Sequence, residues 1–295
     1  MIPLVKYAGG KRAVLEQFKG IFPSKVEGKY YEPMVGSGAV FLGLYDRIPG
    51  GVILGDASEY LCEMWMAVVA EPGVVAGLVG EWCERYNAAT PRLRERMYDA
   101  AKTSIRHGPA TKTMVTALFG KIQMVSARAF NSALFIVVNR TCFNGLWRVN
   151  QSGLFNVPWG KYKTVPTDME ARILKVGTTL GEGFVEVRSG DYRTSTSDAQ
   201  EYDLVYFDPP YHKNFDQYTP SRFKWDQQVW LAAWAKDLSE VGVRIFASNS
   251  NTPEIRDLWS WAKCHEIEVR RTISCKAETR GKGIELLFEA GGTGA

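Results

Sequence analysis

The sequence predicts an α/β chain: a doubly wound, mainly parallel sheet interrupted by a helical, basic insertion. Three observations carry this expectation. A strand, glycine loop, helix and second strand follow one another between residues 29 and 56. Buried strand signals return after residue 184. Between them lies helical periodicity in which, from Ala100 through Thr167, no Asp or Glu occurs. Strands that alternate with helices call for a parallel sheet, and the break in that rhythm marks the insertion.

Lys29-Tyr30-Tyr31-Glu32 is a short run of strand formers, Pro33 to Gly38 the turn, and Ala39-Val40-Phe41-Leu42 the start of an apolar helix. Val52-Ile53-Leu54 is a second buried strand ending at Gly55-Asp56. From about Leu61 helical periodicity takes over, predicting helices over 74–87, 91–106 and 111–138, the second with Pro91 at its first position. Residues 139–162 are polar, aromatic and glycine-bearing, which predicts a hairpin and loops. Strands are then expected at 184–188, 204–207 and 243–247, with a helix over 227–240 between the last two. The catalytic domain is expected to comprise residues 1–60 and 167–295, and the insertion residues 61–166.

The chain has 295 residues, 45% hydrophobic and 23% charged, the balance of a globule with a real core. It has no apolar run of about 18 residues and no signal-peptide layout at Met1-Ile2-Pro3-Leu4-Val5-Lys6, so a cytoplasmic protein without a membrane span is expected. Five cysteines without a C-x-x-C pair and three dispersed histidines argue against a disulfide framework or a metal site. The net charge of +4 says little, but its distribution says more. The acid-free stretch carries Lys102, Arg106, Lys112, Lys121, Arg128, Arg140, Arg148, Lys161 and Lys163. Like charges repel unless a polyanion lies against them, so a polyanionic partner is expected.

Glu32-Pro33-Met34-Val35-Gly36-Ser37-Gly38 sets G-x-G between a strand and a helix, where backbone can approach a ligand closely. Asp56 follows at the end of the next strand, placed to bond ribose hydroxyls. Phe41 stands where a dinucleotide fingerprint needs its third glycine, which favours adenosine without a pyrophosphate. Ala8-Gly9-Gly10-Lys11 lacks the spacing of a phosphate loop. Asp208-Pro209-Pro210-Tyr211 follows the apolar run Leu204-Val205-Tyr206-Phe207, at the carboxyl end of a buried strand. A carboxylate, a fixed carbonyl and an aromatic face suit a planar ring bearing an exocyclic amine.

Val5-Lys6-Tyr7-Ala8-Gly9-Gly10-Lys11, the Glu32–Phe41 block, Asn139-Arg140-Thr141-Cys142-Phe143-Asn144-Gly145-Leu146-Trp147-Arg148, Phe155-Asn156-Val157-Pro158, Asp208-Pro209-Pro210-Tyr211, Arg270-Arg271-Thr272-Ile273-Ser274 and Glu285-Leu286-Leu287 occur in this order. Together they resemble the Dam family of DNA adenine methyltransferases. The resemblance implies a Rossmann-like S-adenosylmethionine-dependent methyltransferase fold with an inserted, mainly helical target-recognition domain bearing a β-hairpin. It implies a cofactor site of Tyr7, Lys11, Glu32, Pro33, Gly36, Ser37, Gly38, Asp56 and Asp208, and catalysis at Asp208, Pro209, Pro210 and Tyr211. It also implies that Lys6, Arg140, Phe143, Asn144, Leu146 and Arg148 contact double-stranded DNA. A monomer or weak dimer is expected.

The reaction so implied is transfer of a methyl group to N6 of a flipped adenine, within GATC. Cytosine-N4 or RNA adenine methylation, and a silent DNA-binding regulator, remain alternatives. A cytosine-C5 enzyme would need a cysteine nucleophile in a proline-led loop, and none is present. Phe41 and the basic insertion disfavour a nicotinamide oxidoreductase. The segment from His212 to Asp226, with Phe215, Tyr218, Phe223 and Trp225, is expected to form a lid over the flipped base.

Overall fold

The computed structural model describes residues 1–7, 9–107, 116, 119, 120, 125–152, 154–212, 223–270 and 282–292. The expected lid falls mainly in 213–222, and Arg271–Ser274 of the late motif in 271–281, so both lie outside the described residues.

In chain order the helices are α1 (Leu15–Ile21), α2 (Ala39–Leu44), α3 (Glu59–Ala70), α4 (Pro72–Ala88), α5 (Pro91–His107), α6 (Ala127–Thr141), α7 (Met169–Gly181), α8 (Tyr192–Ser195), α9 (Trp225–Glu240) and α10 (Pro253–Leu258). The strands are β1 (Tyr30–Glu32), β2 (Val52–Asp56), β3 (Val185–Ser189), β4 (Leu204–Phe207), β5 (Arg244–Ser250), β6 (Lys263–Arg270) and β7 (Lys282–Ala290). Packing groups them into two units, residues 1–10 with 58–187 and residues 11–57 with 188–295. The division falls inside β3. It differs from the boundaries expected at 60 and 166, because residues 1–10 and 167–187 pack with the helices.

The sheet has the order β3-β2-β1-β4-β5-β7-β6. β1 runs parallel to β2 and to β4, and β4 parallel to β5, whereas β7 is antiparallel to both neighbours. β1, β2 and β4 are buried along their whole length, as central parallel strands covered on both faces must be. Side chains alternate between the two faces. Tyr206 and Phe246 meet Phe22, and Tyr206 also meets Phe18 of α1. Tyr31, Val205, Phe207 and Ile245 join Leu231 and Ala235 of α9 on the opposite face. From β1 the chain winds one way to β2 and β3, and from β4 the other way to β5. The switch point, where open α/β sheets leave a crevice outside the strand ends, therefore lies between β1 and β4.

The helical unit packs α4 against α6 and α7, and α3 against α6 and α7. Trp65, Trp82, Tyr86 and Tyr98 fill its interior. One expected helix, over 111–138, is broken. Among the described residues Gly120, with a left-handed φ of 76°, is not helical, and α6 starts after Ser126, whose hydroxyl accepts the Ala129 N–H. Helices α3 and α7 were not expected, although α7 is amphipathic, burying Met169, Ile173, Val176 and Leu180 while Glu170 and Lys175 are exposed. Within 139–162, residues 139–141 close α6 and the rest folds back through isolated antiparallel bridges, Cys142 with Trp159 and Val149 with Phe155, rather than a regular ladder. Phe143–Gly145 is a single 3-10 turn at the base of this fold-back and not its tip.

Gly177 of α7 sits where an added Cβ would lie 2.5 Å from the Val68 carbonyl and overlap Pro72. Alanine has the better helix propensity by about 1 kcal/mol, yet overpacking costs about 1–3 kcal/mol. Gly177→Ala is therefore expected to lower stability in urea unfolding. A gain in stability would show that α7 does not pack on the α3–α4 corner.

Candidate active site

The apolar run 204–207 forms β4 and delivers Asp208 to its carboxyl end, beside the switch point. Its Oδ1 lies 2.8 Å from Nζ of Lys11, which is itself buried. Burial raises the Asp208 carboxyl above the ordinary aspartate value, and the Lys11 ammonium opposes that rise. The same ammonium sits over the Tyr211 ring, 4.6 Å from its centre. The Tyr211 hydroxyl donates to Oε2 of Glu285 on β7 at 2.9 Å, fixing the ring from its far end.

The turn between β1 and α2 is built by two glycines with left-handed φ, Gly36 at 48° and Gly38 at 67°, where a side chain would be strained. Its N–H groups are directed inward. The Gly36 amide donates to Oδ2 of Asp56 at 3.0 Å, that of Gly38 to the Val35 carbonyl at 2.7 Å, and that of Phe41 to Oε2 of Glu32 at 3.0 Å. The carboxyl ends of β1, β2 and β4 carry the acids Glu32, Asp56 and Asp208, with Lys11 the cation paired to Asp208. Carboxyl oxygens accept hydrogen bonds, so this set fits the hydroxyls of a ribose better than a pyrophosphate. Glu32 also accepts the Tyr30 hydroxyl at 2.7 Å, and burial pushes its carboxyl up to about 8. Pro33 and Ser37 are buried in the same turn.

Further groups hold the Asp208–Tyr211 turn from behind, and the motif reading did not single them out. Gln228 of α9 donates to the Pro210 carbonyl at 2.8 Å. Asn249 of β5 donates to Gln228 Oε1 at 2.9 Å and accepts the His212 N–H at 3.3 Å. The Ser250 hydroxyl donates to the His212 carbonyl at 2.8 Å. Gln228 falls within the helix expected over 227–240, where nothing in the pattern set it apart. Asn249 and Ser250 follow the expected end of β5, so only polar residues prolonging a buried strand hinted at them.

The helical unit holds the remaining expected residues. Lys6 is clamped through its backbone by Asn139, which accepts its N–H at 2.7 Å and donates to its carbonyl at 2.8 Å. Its ammonium lies over the Tyr162 ring, 4.1 Å from the centre. Phe143 and Asn144 are exposed, and Asn144 takes a left-handed φ of 54° that pushes the turn outward. Leu146 and Arg148 are half-buried, and Arg148 donates through Nε to Asn156 at 2.8 Å. Tyr7 is exposed. Arg140, expected at DNA, instead donates to the Pro3 and Leu4 carbonyls, each at 2.7 Å. Burial lowers its guanidinium to about 10, and its place is that of an anchor for the segment leading to Lys6.

A strand-end acid followed by two prolines and an aromatic thus stands at the switch point of the sheet. The chain belongs to the D12 class of N6 adenine-specific DNA methyltransferases, whose family model matches residues 7–273. It is 31% identical to the DNA adenine methylase of Escherichia coli strain K12, an alignment covering 96% of this chain and 93% of the relative. It is 30% identical to the type II methyltransferase M.MjaIII of Methanocaldococcus jannaschii, over 97% of this chain and 98% of that one. The type II methyltransferase M1.LlaDCHI of Lactococcus lactis is 29% identical, over 97% and 94% respectively. The protein is thus an enzyme acting on adenine in DNA, as the motif resemblance implied.

Glu32 carries a pH signature. Its folded value of about 8 lies above the roughly 4.3 of an unfolded glutamate. Between those limits the folded chain keeps a proton that the unfolded chain has lost, so this group makes stability fall as pH rises. Glu32→Gln keeps an acceptor for Tyr30 and Phe41 but does not titrate. In urea unfolding at pH 5 and pH 8, the variant is expected to gain on the parent by a few kcal/mol at the higher pH, at up to about 1.4 kcal/mol per unit. A constant difference would mean that Glu32 is ionised in the fold.

Proposed function

We propose that the enzyme transfers a methyl group from S-adenosylmethionine to N6 of an adenine flipped out of duplex DNA, within GATC. The observation that carries this reading is the Asp208–Tyr211 turn at the β1–β4 switch point, beside an acid-lined glycine turn. When bound, the cofactor supplies an electrophilic methyl carbon, and the protein supplies alignment. Asp56 and the 36–38 turn would hold its ribose, with Lys11 and Glu32 around it.

A base stacked in a duplex cannot reach such a crevice, so it must leave the stack at a cost of a few kcal/mol. The N6 lone pair is delocalised into the ring and is a weak nucleophile. Asp208 and the Pro209 carbonyl, as acceptors for the two N6 hydrogens, localise that pair and aim it at the methyl carbon. A carboxylate has about four lone-pair sites, so Asp208 can keep Lys11 on Oδ1 and still accept the amine. Tyr211, its hydroxyl tied to Glu285, offers a ring face for stacking. The N6 proton is released as the new bond forms, because only then does the nitrogen become acidic.

The GATC reading draws on Lys6 and on the 143–148 segment. Lys6 is fixed through its backbone, and Phe143 and Asn144 stand out from the unit, suited to the space a flipped base leaves. The Nε anchor of Arg148 orients a guanidinium that can bond guanine O6 and N7 as a fork.

Asp208→Asn, which keeps the shape and removes the charge, is expected to lower methyl transfer by roughly 10²–10³-fold while duplex binding survives. The assay is tritiated-methyl incorporation, and near-parental turnover would contradict the mechanism. Arg148→Ala is expected to lose about 1–3 kcal/mol of discrimination at one base pair of the site. Equal ratios of matched to mismatched methylation in variant and parent would mean that Arg148 does not read sequence.

A further inference from the structure

Gln228 and Asn249 are each 1% exposed, and Gln228 is flanked on α9 by the apolar contacts of Leu231 and Ala232. Buried amides are costly unless their donors and acceptors are met. Theirs are met in one chain of bonds that runs from β5 to the catalytic turn. Asn249 Nδ2 donates to Gln228 Oε1 at 2.9 Å, and Gln228 Nε2 donates to the Pro210 carbonyl at 2.8 Å. Asn249 Oδ1 accepts the N–H groups of Ser250 at 2.8 Å and of His212 at 3.3 Å. The turn is thus gripped just past its reactive residues.

That grip acts on a segment with little freedom left. Asp208 and Pro209 each precede a proline, which excludes the helical region for them, and the two proline rings fix φ near −65°. Rotation about the remaining bonds decides where the Asp208 carboxylate and the Pro209 carbonyl point. Holding the Pro210 carbonyl and the His212 amide removes most of that rotation. A shift of about 1 Å at such acceptors is enough to cost 10²-fold in rate.

We propose that Gln228 and Asn249 form a positioning relay that sets the acceptor geometry of the Asp208–Pro209 turn for methyl transfer. Both are positioning residues, since neither touches the reacting atoms. The proposal rests on the reading that Asp208 and Pro209 receive the amine.

Gln228→Met keeps length and removes both bonds. Asn249→Asp keeps Oδ1 for His212 and Ser250 while removing the donor to Gln228, so it serves if the first variant folds poorly. Single-turnover methylation of a GATC duplex, duplex and cofactor affinities, and the urea midpoint are measured for each variant and for the pair combined. The relay requires a single-turnover rate at least tenfold lower in each folded variant, with both affinities within about twofold of the parent. It also requires the double variant to be no slower than the worse single one, as members of one unit are not additive. Folded variants with the parental rate, or a loss seen only in affinity, would overturn it. Asp208→Asn run alongside separates the two claims. If that variant keeps the parental rate, the reading of the turn fails. If it is inactive while Gln228→Met is not, only the relay fails.

Discussion

Three acids, the buried Glu32 and Asp56 and the partly buried Asp208, stand at the carboxyl ends of neighbouring parallel strands, and the site depends on how each is compensated. A buried carboxylate without a partner is costly, so each has acquired a different solution. Glu32 holds its proton up to about pH 8 and accepts two hydrogen bonds, pinning the start of α2. Asp56 takes the Gly36 amide and so shapes the glycine turn. Asp208 keeps Lys11 within 2.8 Å. The compensations that stabilise the sheet edge also fix the groups a substrate meets.

The same edge explains why polar side chains run through an otherwise apolar layer. Tyr206 bonds Ser248, and Gln228 bonds Asn249, in places where aliphatic residues would pack more simply. A well-packed apolar core would cost the fold less, so polar pairs at this depth point to placement rather than stability. The antiparallel strand β7, wedged between β5 and β6, brings Glu285 opposite Ser250 and within reach of Tyr211. One turn of four residues is therefore steadied from α9, β5 and β7 together.

Much of this was legible in the sequence because central strands of a parallel sheet are continuous apolar runs. Val52–Leu54 and Leu204–Phe207 stand out for that reason, and the residues directly after them are the acids of the site. The G-x-G turn was legible because glycine adopts the left-handed φ of positions 36 and 38 without the strain a side chain brings. Strands β6 and β7 were not, since β6 is a largely polar edge strand with Ile267 its one buried side chain among the described residues, and the partners of both are set by topology. Helix 111–138 was drawn too long because periodicity does not register the left-handed break at Gly120. Arg140 was assigned to DNA from the motif resemblance, whereas its guanidinium donates to the Pro3 and Leu4 carbonyls, far away in sequence. Local patterns reveal what the backbone demands of a residue, and they are silent on which distant group a side chain meets.

The central claim is that Asp208 receives the exocyclic amine of the target adenine. It is tested most directly by binding two GATC duplexes to the parent and to Asp208→Asn, with a non-reactive cofactor analogue present. One duplex carries adenine at the target and the other carries purine, which lacks the amine. A hydrogen bond to a charged group contributes roughly 1.5–3 kcal/mol, so the parent should prefer adenine over purine by a factor that the variant largely loses. An adenine-to-purine ratio that is the same in parent and variant would show that Asp208 does not hold the amine.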